Sequence, residues 1–249
     1  MTLYRDKGIV LRSYKLAESD RIVVLMTEHH GKVRAVAKGI RKTRSKFGGR
    51  LEPLSHVQLQ LHRGKDLDIV SQVESVDTTA AVFGDLDSMT EASSILEAVD
   101  QLVPDREPVP QMYRMLVGAR QTLLTRPSPL VVPAFLFKLL TAEGLRPQLD
   151  QCVSCGESSD NEFVAFDFDL GGVACRSCRS GMAVSGPALV LMRDILGGKL
   201  GESLDRAFNP DGQQLNDPII NEVSQLATRA FEHHIERRLR SVSIFERHS

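Results

Sequence analysis

The first third of the chain alternates short apolar runs with turn residues. The runs at 9–16 and 21–27 flank an Ala-Glu-Ser-Asp turn, and His30-Gly31 leads into a third at 32–38. A fourth at 54–62 has period two through Val57, Leu59 and Leu61, and a fifth at 67–76 follows the Arg63-Gly64-Lys65-Asp66 turn. Five strands in so short a stretch, with one long connection between the third and fourth, predict a closed Greek-key barrel of the OB kind. Closure leaves no exposed sheet edges. An SH3-like barrel would give a similar pattern, so that alternative stays open here.

After Asp77 the period becomes helical. Stripes through Leu86, Met89, Ile95, Leu96, Val99 and Leu102, through Met112, Met115, Leu116, Ala119 and Leu123, and over 133–143 predict helices at 80–103, 111–125 and 133–143. Gly144 stops the third. Pro187 opens a further helix that Gly197-Gly198 closes, and the last is predicted from Pro218 to about Val242. The expected architecture is α+β and multidomain: an OB-fold domain at 1–78, then a helical domain at 79–249 with a zinc-finger-like insertion at about 150–182.

That insertion is read from the cysteines. All four of the chain fall in two pairs, Cys152-Val-Ser-Cys155 and Cys175-Arg-Ser-Cys178, with nineteen residues between them. Each pair can offer two thiolates to one metal. The segment between can fold back as a hairpin, with Phe166, Phe168 and Leu170 alternating and Gly171-Gly172 turning. Four thiolates make a closed tetrahedral Zn²⁺ site, structural because no position stays open for water. Disulfides are the alternative, disfavoured in a reducing cytoplasm, and a redox Cys-x-x-Cys needs only one pair.

Charge changes the picture once it is divided by position. The net charge is -1 overall, but residues 1–80 hold 15 Lys+Arg against 9 Asp+Glu, and the remainder 16 against 23. No acidic residue occurs between Glu28 and Glu52, a window that holds Lys32, Arg34, Lys38, Arg41, Lys42, Arg44, Lys46 and Arg50. Solvated faces usually mix signs, so the segment from Lys38 to Arg50 is expected to form a positive groove tracking a nucleic-acid backbone, with Thr43 and Ser45 hydroxyls available to phosphates. A solvated loop or an anionic-lipid patch are the plainer alternatives. Aromatics are scarce here, so binding should be electrostatic; Phe47 either stacks a base or anchors the loop. Arg176 and Arg179 either extend this surface or balance nearby acids, and Arg237, Arg238 and Arg240 read as a solvated helical face.

Catalysis is not expected. His234-Ile-Glu236 matches the H-x-E half of a zinc deaminase, but it follows both cysteine pairs, and no proline precedes Cys152 or Cys175. Nucleotide-binding glycine fingerprints are absent. The longest apolar runs fall far short of a bilayer span, and the first thirty residues show no secretory signal. A cytoplasmic protein without a membrane partner is therefore expected.

Three blocks then carry a family resemblance: GIVLRSYKLAESDRIV from Gly8, HGKVRAVAKGIRK from His30 with SKFGGRLEP from Ser45, and FKLLTAEGLRPQLDQCVSCG from Phe137. Together they resemble the bacterial recombination mediator family RecO over nearly the whole chain. The resemblance implies an OB domain, a helical domain and a zinc segment. It further implies binding of single- and double-stranded DNA, annealing of complementary strands, and, with RecR, help for RecA in replacing single-strand-binding protein. It carries DNA contact onto Lys38, Arg41, Lys42, Arg44, Lys46 and Arg50, and one structural zinc onto Cys152, Cys155, Cys175 and Cys178. The rivals from other classes are a zinc-ribbon module in transcription and a zinc-dependent nucleic-acid hydrolase or deaminase.

Overall fold

The computed structural model describes residues 2–42, 45, 47, 49–77, 86–158, 163–205 and 218–241. The chain divides into two compact units, 1–125 and 126–249. The sequence boundary near residue 78 marks where strands give way to helices, whereas packing assigns the first two helices to the barrel's unit.

Five strands, β1 (Leu3–Lys15), β2 (Arg21–Thr27), β3 (Gly31–Ala37), β4 (His56–His62) and β5 (Asp68–Ser75), form a closed barrel in the order β1-β2-β3-β5-β4. All neighbours are antiparallel except β3 and β5, which pair parallel through Ala35↔Asp68 and Val36↔Ile69. This crossover is the Greek-key closure of an OB-like barrel and settles the choice left open by periodicity. Inside lie Val10, Val23, Leu25, Val33, Ala35, Val57, Leu59, Leu61 and Val70, all buried.

Strand β1 begins six residues earlier than predicted. Its first half, Leu3 to Gly8, pairs with β4 from Leu3↔His62 to Gly8↔Val57, but Arg5, Asp6 and Lys7 hide the apolar alternation. Asp6 is buried at the barrel end because four donors meet its carboxylate: the backbone N–H of Lys7 (2.8 Å) and of His29 (3.1 Å), and Nδ1 of His29 (3.0 Å) and His30 (2.6 Å). These bonds hold the Asp6 carboxyl below its ordinary pKa against the opposing effect of burial.

Helices α1 (Leu86–Leu102) and α2 (Pro110–Thr125) pack on each other and on β1. The predicted first turn of α1 at 80–85 lies outside the described residues. The loop between the helices runs along the first part of β3, which β5 does not reach; there Lys32 bridges Asp105 and the Arg106 N–H donates to the Lys32 carbonyl. Arg106 also donates to Asp68 at 2.9 Å, and Tyr4 donates its hydroxyl to the same buried carboxylate. From α2, the buried Arg120 grips both carboxylate oxygens of Asp77 and donates through Nε to the Leu54 carbonyl at 2.9 Å. Bidentate geometry of this kind fixes orientation as well as charge.

The second unit contains α3 (Val131–Ala142), the sheet β7-β6-β8 built from β6 (Phe163–Asp167), β7 (Gly172–Cys175) and β8 (Met182–Ala183), and α4 (Gly186–Leu196), α5 (Leu200–Asp205) and α6 (Pro218–Ile235). Strand β8 and helix α5 are too short to leave a readable period. Ser185 caps α4 by accepting from Ala188 N–H at 3.2 Å. Helix α6 stops at Ile235 and not near Val242: Glu236 adopts φ 52° and Arg237 N–H returns to the Glu232 carbonyl. Helices α3, α4 and α6 form the core of this unit around Phe137, Leu140, Leu189, Met192, Val223 and Phe231. Among the described residues, no helix is long and apolar enough to cross a membrane.

Candidate metal centre and nucleic-acid surface

The two cysteine pairs, distant in sequence, converge. Cys152 follows the turn after α3, and Cys175 is the last residue of β7. The register Phe163↔Cys175 and the bond from Val153 N–H to the Val173 carbonyl (2.9 Å) bring the two knuckles together. Each knuckle is locally locked: Gly156 N–H donates to the Cys152 carbonyl at 2.9 Å with Gly156 at φ 78°, and Cys178 N–H donates to the Cys175 carbonyl at 3.1 Å. Only glycine takes that positive φ without strain. Phe168 and Leu170, expected to alternate within a strand, lie instead in the turn at 168–171, whose Gly171 has φ 70°. Phe166 alone of the three is buried in the sheet.

All four Sγ atoms lie within 4.8 Å of one another. Cys155 and Cys175 are 3.8 Å apart, which is the spacing of about 3.8 Å that two sulfurs take in a tetrahedron with Zn–S near 2.3 Å. A disulfide would need about 2.05 Å, and all four cysteines are free. Burial works against ionisation of Cys152, but the N–H groups of Cys175, Cys155 and Ser154 outweigh it and lower the thiol to about 6. Hydrogen bonds with Cys155 and Cys175 push the Cys178 thiol up. One thiolate is thus prepared by the backbone, while four together require a cation to balance them. The donor set is sulfur-only and drawn together within 4.8 Å, and it fits a structural metal.

The basic segment occupies the connection from β3 to β4. Its apolar residues turn inward, with Ile40, Phe47 and Leu51 packed into the barrel core. Phe47 is 1% exposed and so anchors the loop; it offers no face to a base. The described cations beside these anchors point out: Lys38, Arg41, Lys42 and Arg50 are exposed. Gly39, at φ 71°, permits the turn in which Lys42 N–H donates to the Gly39 carbonyl. Asp20 accepts from Gly39 N–H at 2.7 Å, and the Arg41 backbone and guanidinium reach the carbonyls of Ser19 (3.1 Å) and Glu18 (3.0 Å). The connection is thereby tied to the β1–β2 turn. Ser45 accepts from Phe47 N–H through its hydroxyl oxygen. Thr43, Arg44 and Lys46 lie outside the described residues.

Two members of the predicted set stand elsewhere. Arg34 is exposed on β3 and donates to the Tyr14 hydroxyl at 2.7 Å. Lys32 is only 12% exposed, and its ammonium lies against the Asp100 carbonyl, the Asp100 carboxylate (3.5 Å) and Asp105 (3.4 Å). That engagement with α1 and its loop was invisible in the sequence, because the partners lie about seventy residues away. Arg176 and Arg179 are exposed beside the second knuckle. Arg229, Arg237 and Arg238 line a shallow cavity with His233, but Glu232 and Glu236 share it, and the C-terminal end of α6 adds negative partial charge. The mixture is that of a solvated surface, but Arg237, Arg238 and Arg240 lie beyond the end of α6 and not on a helical face.

Residues 1–79 match the family described as Recombination protein O N terminal, and residues 84–243 match Recombination protein O C terminal. The two matches meet where strands give way to helices, and the second spans the whole cysteine segment. With an OB-like barrel, a helical region and a four-cysteine cluster in place, the chain belongs to the recombination protein O family and to DNA repair by recombination.

Proposed function

We propose that this chain is a non-enzymatic recombination mediator that binds single- and double-stranded DNA through the β3–β4 connection and anneals complementary strands. The observation that carries the reading is the division of labour within that connection. Ile40, Phe47 and Leu51 are sunk in the barrel, while Lys38, Arg41, Lys42 and Arg50 beside them are held outward. Cations on an anchored loop neutralise phosphates without first ordering a free chain, and neutralising two strands lowers the repulsion that opposes their pairing. Arg44 and Lys46 belong to the same segment of sequence, and Arg34 adds an exposed guanidinium on the adjoining strand. Lys32 contributes mainly to packing in this reading.

Partnership with RecR, recognition of single-strand-binding protein and assistance to RecA follow from family membership as proposals, as does a cytoplasmic, nucleoid-associated location. One zinc per chain is the metal that the four thiolates select. It would hold the knuckles together, and no bond-breaking step is assigned to it.

The test is DNA binding followed by fluorescence anisotropy across a salt series for the wild-type chain and for Arg41→Glu/Lys42→Glu. The reading expects weaker binding and a log-affinity against log-salt slope flattened by about 1.4 on single strands, from two lost phosphate contacts. An unchanged slope contradicts the assignment of the connection.

A further inference from the structure

The barrel has a second face that the connection does not use. Along β1 the outward residues change character: Ile9 and Leu11 are apolar and buried, as are Ile22, Val24 and Met26 on β2. Helices α1 and α2 pack on β1, and Arg12 pairs with Asp100 of α1. Oligonucleotides commonly use the β2–β3 face of OB barrels with the flanking β1–β2 and β4–β5 loops; here the β2 part of that face is buried in protein contacts.

The first half of β1 is open. Register places Arg5 beside Gln60 and Lys7 beside Gln58, and continues to Gln72 and Glu74 on β5. These six residues share the outer side of the pleat, since Val57, Leu59 and Val73 fill the inner side. At one end of the strip the β4–β5 turn adds exposed Arg63 and Lys65, with the Arg63 guanidinium 5.5 Å from the Tyr4 ring centre. Among the described residues none of these four cations forms an ion pair. The acids of the strip are Glu74 and Asp66, so cations outnumber them two to one. The β4–β5 turn lies at the opposite barrel end from the β1–β2 turn that holds the connection, because β1 and β4 run antiparallel.

We infer that the outer face of β1, β4 and β5, with Arg5, Lys7, Arg63 and Lys65, is a second track for the phosphodiester backbone of single-stranded nucleic acid. The cations meet phosphates, and the amides of Gln58, Gln60 and Gln72 donate to phosphate, sugar or base oxygens without selecting a sequence. The planar Arg63 guanidinium at the turn provides a stacking step. The inference rests on the single-strand-binding reading and deepens it: separate tracks at the two barrel ends let one molecule carry both strands to be paired.

The experiment titrates zinc-replete full-length protein with labelled oligo-dT, which cannot pair with itself, at low salt, and reads strands bound per chain. Arg5→Glu/Lys7→Glu, Arg5→Gln/Lys7→Gln and Arg41→Glu/Lys42→Glu are compared after circular dichroism and zinc content confirm folding. The expected result is two strands per wild-type chain and one per Arg5/Lys7 variant, with slower annealing and the remaining site's affinity kept. One strand per wild-type chain, or two on the Arg5→Glu/Lys7→Glu variant, overturns the inference. Loss of all binding in either double variant means a single continuous track and also overturns it. If instead Arg41→Glu/Lys42→Glu changes nothing while Arg5→Glu/Lys7→Glu removes one strand, the second track stands and the connection's assignment fails.

Discussion

The barrel and the cysteine hairpin are both small β structures, but they are held together by different physics. The barrel closes five strands around a continuous apolar interior, and buried anchors extend that interior into its longest loop. The hairpin has strands of five, four and two residues, too few to close around an interior of their own. Its two knuckles instead present four sulfurs to one point. Where apolar area is scarce, metal–ligand bonds substitute for it, and the folding free energy then depends on metal and thiolate chemistry.

Metal removal separates the two regions most strongly. Structural zinc contributes on the order of 10 kcal/mol in zinc-finger peptides, so a strong chelator, or Cys175→Ser, should abolish amide protection across β6, β7 and β8 while leaving β1 to β5 protected. Hydrogen exchange reads this directly; equal loss in both regions would show that the barrel too depends on the metal.

The converse perturbation is Phe47→Ala. Emptying so large a buried side chain costs about 3–5 kcal/mol, and it should lower the melting temperature of the barrel unit without changing zinc stoichiometry. DNA affinity should fall as well, because the cations lose their anchor. Retained affinity in a destabilised barrel would show that the connection holds its shape by other means.

A smaller effect comes from pH. Burial lowers the pKa of His56, which lies 3.6 Å from Asp77 and 2.9 Å from the Tyr113 hydroxyl, with Arg120 and Lys7 also disfavouring its charged form. A histidine kept neutral by the fold contributes stability that is fully present above its unfolded pKa of about 6.5 and is lost as pH falls below it. Chemical denaturation between pH 7 and pH 5 should therefore show a barrel-unit loss that His56→Gln reduces. His29, raised by its hydrogen bond to Asp6, acts with the opposite sign, its contribution fading as pH rises through its folded pKa. The hairpin should weaken over the same range for a separate reason, protonation of its thiolates. A barrel profile unchanged by His56→Gln would contradict this account.

The same contrast explains what was legible in the sequence. Cysteine spacing announced the four-sulfur cluster, because few residues carry all of its chemistry. Short apolar runs between turn signals announced four strands at nearly their observed limits, but the start of β1 was hidden: Arg5 and Lys7 face solvent, and the burial of Asp6 relies on histidines more than twenty residues away. The cations of the connection were visible as an acid-free run. Which of them remain available depended on tertiary partners, so Lys32 looked equivalent to Lys38 until Asp100 and Asp105 were placed beside it. Helix α6 ran on in the pattern past its true end because an apolar stripe does not record the positive φ of Glu236.

The most direct test of the mediator reading is annealing of two complementary labelled oligonucleotides, each coated with single-strand-binding protein, over a salt series with and without the zinc-replete chain. The account predicts acceleration that needs no nucleotide and fades as salt rises. No acceleration by folded protein at any salt would contradict it and favour a binding module of another kind.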